Sequence, residues 1–247
     1  MKSRFFGQVT AAVLVNSLYE MRNYPVVLVN TVLSPLSFLL VIAFVSKGGL
    51  IGDAIEGGFI MSMFSSGVSL QGDLSHLKND FKLQDMVVAS PTSPFTYVTG
   101  MALAELVYSI PALAVLTVLA WIFIHPSAVQ ALVLVGVMLM MFLSSIAIGF
   151  TLATFSSDIV QSFAFSRLIS TLFSTLPPVY YPVTYIPLPF RYAAYLSPTT
   201  YAAVISQNAT GFLSEPGASI AIDWGIMIAV TVVLFLVAAK KARWREV

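Results

Sequence analysis

Six stretches of about twenty mostly apolar residues fill this chain, each long enough to cross the hydrocarbon core of a bilayer as a helix. They run over Val26–Ser46, Ala54–Leu74, Met101–Ile124, Val129–Phe155, Gln161–Val179 and Ile220–Ala239. In hydrocarbon every backbone N–H and C=O must be paired within the protein, so such stretches fold as helices. Charged residues make up 9% of the chain, against roughly a quarter in a soluble domain. The expected fold class is therefore all-α: an integral membrane protein with six transmembrane helices, forming a single domain over 1–247. The second stretch is the least apolar, with Gly57, Gly58, Ser62, Ser65, Ser66, Gly67 and Ser69. Small residues on a span either let helices pack closely or line a polar path.

Composition also removes several functions. The net charge of +1 gives no basic field for nucleic acid. The chain has no cysteine, and His76 and His125 lack ligand spacing, so no metal site is expected. The acidic residues are dispersed, where acid–base or metal catalysis would need a cluster. Met1–Arg4 is basic, but Gln8, Asn16, Glu20 and Arg22 follow, unlike the unbroken apolar core of a secretory signal.

Lys and Arg set the orientation. An even number of spans puts both termini on one side, together with the segment after the second span. That side carries Lys2, Arg4, Arg22, Lys78, Lys82, Lys240, Lys241, Arg243 and Arg245, nine of the twelve basic residues. Lys47 and Arg191 fall opposite, and Arg167 lies within a span. Both termini are thus expected in the cytoplasm of a cell whose plasma membrane holds the chain. Residues 5–22 can form an interfacial helix along the inner leaflet, with Ala11, Leu14, Val15, Leu18 and Met21 on one side and Pro25 breaking it into the first span.

Two segments do not read as spans. Leu176–Ala202 carries Pro177, Pro178, Pro182, Pro187, Pro189 and Pro198, which forbid a continuous helix, interleaved with tyrosines that suit a membrane interface. Short re-entrant helices on the outer side, over 177–206, are the expectation. Asn208-Ala209-Thr210 also fits a glycosylation sequon there, and Glu56 is expected at the outer interface. The other segment, Ser75–Pro94, places Lys78, Asp80, Lys82 and Asp85 between two apolar stretches. A helix-length polar block on the cytoplasmic side is suited to presenting itself to a partner in water.

These features together resemble the transmembrane subunit of ABC-2 type exporters. The resemblance lies in the interfacial helix with six spans, in LQDMVVASPTSPFTYVTGMALAEL (Leu83–Leu106), and in PPVYYPVTYIPLPFRYAAYLSPTTYA (Pro177–Ala202). Gln84-Asp85 departs from the acidic run and Gly-Thr step of many relatives. The resemblance implies that the cytoplasmic block is a coupling helix docking on a separate ATPase subunit. Leu77, Phe81 and Met86 would be apolar anchors, and Lys78, Lys82 and Asp85 rim charges. The chain lacks GxxxxGK[ST], so it is expected not to be an enzyme and to hold no cofactor, with ATP and Mg in the partner. It also implies two copies of this chain around a two-fold axis, in contact with membrane lipids.

Spans two and five border the transport path in that family. Here they offer Met61, Phe64 and Val68, and Phe163, Phe165, Leu172 and Phe173. Glu105 and Arg167 are ionisable groups within spans three and five, which are costly in a bilayer. They either pair and lock those spans, or sit at the inner interface and snorkel. The function implied is ATP-driven export of an amphipathic drug-like molecule or lipid, with polysaccharide or glycolipid export as the alternative. An ion-coupled transporter, a different class, would call for mid-membrane carboxylates or paired broken helices.

Overall fold

The computed structural model describes residues 2–14, 17, 19–23, 25–79, 94–156, 158–175 and 178–241. Among these residues the regular structure is entirely helical. The elements are α1 (Lys2–Val13), α2 (Tyr19–Asn23), α3 (Pro25–Val45), α4 (Ile51–Asn79), α5 (Pro94–Phe123), α6 (Ala128–Phe155) and α7 (Ile159–Thr175). A 3₁₀ turn (Val183–Tyr185), α8 (Phe190–Ala194), α9 (Pro198–Thr210) and α10 (Gly217–Lys241) follow.

Four helices are long and apolar enough to span a membrane, over Leu28–Val45, Val98–Phe123, Ala128–Ala153 and Gly217–Lys240. These match the first, third, fourth and sixth expected stretches. The second stretch lies in α4, whose Gly, Ser, Gln and acidic residues lower its hydropathy. The fifth lies in α7, which is 17 residues long and ends at Thr175 rather than running to Val179. Pro177 and Pro178 follow, and a proline removes the N–H that a further turn would need.

Chain direction gives the bundle two ends. The near end holds α1, α2, the start of α3 and the end of α4. The far end holds the 46–50 turn, α8 and α9. α4 is the centre and packs against α3, α5, α6, α7 and α9. Its small residues set how closely. A Cβ on Gly67 would lie 1.9 Å from Ser145 Oγ, and one on Gly149 would lie 2.6 Å from Gly67 O. The backbones of α4 and α6 therefore meet. Ser145 is buried in this contact and donates to Met63 O at 3.2 Å. Beside it Phe64, Val68, Val137, Met141 and Ile146 fill the main core.

The N-terminal helix docks by a different face from the one its periodicity suggests. Val9 is buried against α5, and Ala12 comes so close to Gly100 that a Cβ there would meet it at 2.6 Å. Leu14 points outward, 48% exposed. Midway along the bundle, Ser144 and Thr231 share a hydrogen bond of 2.6 Å that ties α6 to α10. α9 starts at Pro198 with the Ser197 hydroxyl accepting from Thr199 N at 3.3 Å, and it ends at Gly211 in the left-handed region (φ +89°). The Asn208 side chain of the sequon is spent on this end, donating to Glu215 O at 3.2 Å.

Adding side-chain volume at the α4–α6 contact should force the backbones apart. Gly67→Val is expected to destabilise the purified chain by about 1–3 kcal/mol, the usual cost of overpacking. Gly225→Ala in α10, where nothing lies within 4 Å of the added carbon, should be neutral or slightly stabilising. Thermal unfolding in detergent compares the two.

Candidate functional site

A cavity of about 620 Å³ opens between α3, α4, α5 and α7. Each helix contributes one face, as its 3.6-residue period requires. From α4 come Met61, Ser62, Ser65, Ser66 and Ser69; from α3, Asn30, Thr31, Ser34 and Phe38. α5 adds Glu105 and Tyr108, and α7 adds Phe163, Arg167, Ser170 and Thr171. Ten of the seventeen lining residues carry a hydroxyl. The serines of α4 take both roles open to them in the sequence, since Gly67 packs against α6 while Ser62, Ser65, Ser66 and Ser69 turn toward the cavity.

A hydroxyl in an apolar helix can satisfy itself on the preceding turn, which lets it stay in a low-dielectric wall. Ser66 donates to Ser62 O at 2.9 Å. Ser69 donates to Ser66 O at 2.9 Å and also faces the Glu105 carboxylate as a hydrogen-bond donor. Glu105 is 5% exposed, whereas Arg167 is exposed on the opposite wall. The two thus share one cavity without an ion pair between them among the described residues. At the far end Phe38 and Tyr180 stack with centroids 5.2 Å apart, closing the cavity there.

The residues expected to form a substrate path are divided. Met61 and Phe163 line the cavity. Phe64 and Val68 are buried in the core, with Phe64 stacked on Phe173 at 5.2 Å. Phe165 is half-buried, and Leu172 is 45% exposed on the surface of α7. Glu56, expected at an interface, is instead fully buried within the protein. Sequence reading missed the α3 wall. Its signal was the spacing of Asn30, Thr31, Ser34 and Phe38, polar and aromatic residues on one face of an otherwise apolar helix.

Gln71 links this cavity to the end of α4. It is fully buried, and its amide donates to Ser156 Oγ at 2.9 Å and accepts from Ser166 Oγ at 2.9 Å. Ser162 donates to the Gln71 carbonyl at 3.1 Å. One residue therefore joins α4, the end of α6 and two turns of α7. Eight residues further on, α4 ends at Asn79. Of the six expected coupling residues, Leu77 and Lys78 fall in this last stretch of helix. Phe81, Lys82, Asp85 and Met86 lie outside the described residues.

The ABC-2 type transporter family model matches residues 8–209, most of the chain and all four walls of the cavity. The chain belongs to the ABC-2 type transporter family. A comparison with curated proteins gives no match. As an ABC-2 membrane domain the chain is a permease of ABC-type transport, and permeases of this family generally work with an ATPase subunit. Two features of this permease stand out at α4 and α7: a cavity lined by hydroxyls, and a buried amide tying those helices together where α4 nears its end.

Replacing Gln71 by Leu removes both side-chain bonds and strands the Ser156 and Ser166 hydroxyls. The expected loss is about 1–3 kcal/mol, the cost of leaving buried polar groups unpaired. Thermal unfolding measures it, and Gln71→Glu should recover part of the loss by keeping one acceptor for Ser166.

Proposed function

We propose that this ABC-2 permease exports an amphipathic small molecule or lipid, binding it in the cavity between α3, α4, α5 and α7. The cavity itself carries this reading. Its volume of about 620 Å³ lies in the range of drug-sized sites. Its hydroxyls suit a polar head, and Phe38, Tyr108, Phe163 and Tyr180 suit an apolar body. The density of hydroxyls also favours a second reading, a glycolipid whose sugar hydroxyls pair with the serines. A long polysaccharide fits the closed far end less well.

In this reading six helices span the membrane, α4 and α7 included, and α8 and α9 re-enter from the outer leaflet. The near end and both termini are cytoplasmic, as the distribution of basic residues supports. A second copy covers the open side of the cavity. Val160, Phe163, Leu168 and Leu172 stand exposed on α7 and support that contact, with lipid on the remaining apolar surface. The chain itself holds no ATP. A separate ATPase, with its own ATP and Mg, docks on residues 75–94 through Leu77, Lys78, Phe81, Lys82, Asp85 and Met86. Its motion reaches the cavity along α4, and Gln71 passes it to α7. Glu105 and Arg167 close into an ion pair in another state of the cycle, with Glu105 leaving Ser69.

The test is co-expression and co-purification with a candidate ATPase subunit, followed by hydrolysis and transport assays in vesicles. Phe81→Ala with Asp85→Ala should release the ATPase or abolish transport-linked hydrolysis; a fully active complex sinks the docking claim. Phe38→Ala should weaken substrate-stimulated hydrolysis by about tenfold, the effect of losing one well-packed aromatic contact. Glu105→Arg and Arg167→Glu should each abolish transport, and the double exchange should restore it if the two residues pair.

A further inference from the structure

At the far end of α4, a group of polar side chains is buried with several of its atoms making no hydrogen bond of normal geometry. Glu56 is 0% exposed and Asp53 3%. Glu56 Oε1 and Oε2 and Asp53 Oδ1 have no hydrogen-bond partner, and neither residue joins an ion pair among the described residues. The two carboxylates are three positions apart, so they share one face of α4. α9 packs against this helix, and the Ser206 and Thr210 hydroxyls approach Glu56. Both hydroxyls also bond along their own helix. Ser206 donates to Ala203 O at 3.1 Å, and Thr210 donates to Ser206 O at 3.1 Å. Their oxygen lone pairs remain for another partner.

Gln207 follows Ser206 in the helix that packs on this end of α4. It lies on the same arc of α9 and is 0% exposed, and neither its Oε1 nor its Nε2 finds a partner. Its backbone is held firmly, the carbonyl accepting from Gly211 N at 3.1 Å and Leu213 N at 3.0 Å. Phe212 covers the first turn of α4, its ring only 2.1 Å from where a Cβ on Gly52 would sit. A buried carboxylate without a donor or counter-charge is strongly unfavourable, so such a site takes up a positive charge. The basic side chains at this end do not provide one. Lys47 and His125 are exposed, and Arg191 donates to Ile186 O at 3.1 Å and Thr184 O at 2.7 Å.

We propose that Asp53, Glu56 and Gln207, with the Ser206 and Thr210 hydroxyls, form a binding site for one calcium-type divalent cation that joins α4 to α9. Every available donor is a hard oxygen, which suits alkaline-earth ions and not the softer transition metals. Two carboxylates on one helix turn match a double positive charge better than a single one. Magnesium keeps much of its water and demands a strict octahedron, whereas calcium accepts mixed carboxylate, amide and hydroxyl oxygens in a flexible shell. No group of three or more His, Cys, Asp or Glu occurs among the described residues, so the neutral oxygens of α9 are essential to the shell. The cation is then a brace, holding the Pro198–Thr210 helix against the centre of the bundle.

The experiment uses the full chain in zwitterionic detergent at neutral pH, with calcium chloride as the probe. Calorimetric titration should show one cation per chain, with Kd about 10⁻⁴–10⁻³ M, as for weak calcium modules. Calcium should raise the midpoint of thermal unfolding by a few degrees relative to chelator. Glu56→Gln should remove that response and raise the midpoint in chelator, because a buried charge is gone. Gln207→Leu should weaken calcium binding at least tenfold, while Asp223→Asn, outside the site, should leave it intact. An equal calcium response in Glu56→Gln overturns the proposal. So does stabilisation by sodium alone, or stabilisation on acidification with no response to any cation, which would identify a bound proton instead.

Discussion

The contact between Gly67 and Gly149 lets the backbones of α4 and α6 touch, and the rest of the bundle is built outward from it. Helices in lipid gain little from burying apolar side chains against one another, because the surrounding tails are equally apolar. What holds them is close van der Waals packing and hydrogen bonds that lipid cannot supply. α4 uses both. Glycine and serine bring it within touching distance of its neighbours, and Ser145, Gln71 and Ser69 place polar bonds at the interfaces so formed. A leucine-rich helix would satisfy the bilayer better and the bundle worse.

This trade explains why α4 does not stand out as a membrane helix by hydropathy. It is surrounded by α3, α5, α6, α7 and α9, so protein rather than lipid is its solvent. Polarity that would be costly against hydrocarbon is tolerable there, provided each group finds a partner or lines a wet cavity. Of the four helices that do qualify as spans, α3, α5 and α6 pack on it and α10 packs on α6, and their exposed leucines, valines and phenylalanines face outward. Hydropathy therefore reports lipid contact, and it understates the helix on which the architecture rests.

The same logic sets what could be read from residues alone. The apolar runs, the proline-broken segment and the helical character of the chain follow from composition and period, because they are properties of single segments. The cavity follows only in part. The serine face of α4 was visible as a pattern, but Asn30, Thr31 and Ser34 acquire meaning only when α3 is laid beside α4. The aromatic residues of α4 and α7 illustrate the limit. Phe64 and Phe163 look alike in sequence, yet Phe64 is sealed in the core and Phe163 is 58% exposed beside the cavity. A helical period assigns residues to faces; it does not say which face meets which neighbour. Val9 shows the same thing in α1, where a residue outside the expected apolar side is the one that docks on α5.

Gln71 and the carboxylates of Asp53 and Glu56 sit at opposite ends of α4, and they differ in how their polarity is met. Gln71 is fully buried and bonded to three serines, so its amide fixes α7 to α4 as one unit. Glu56 and one oxygen of Asp53 are buried without a hydrogen bond, so on the proposal above the attachment of α9 to the same helix responds to the cation held there. In the proposed cycle, a helix fixed firmly near one end and held differently at the other would carry motion from the ATPase end of the bundle toward the opposite end. Movement of the near end in that cycle would take α7 with it through Gln71 and shift the cavity wall carrying Phe163, Arg167 and Ser170. The far end then yields or holds according to the strength of the α4–α9 contact. On this view the polarity of α4 that weakens it as a membrane span is what allows it to work as the moving part.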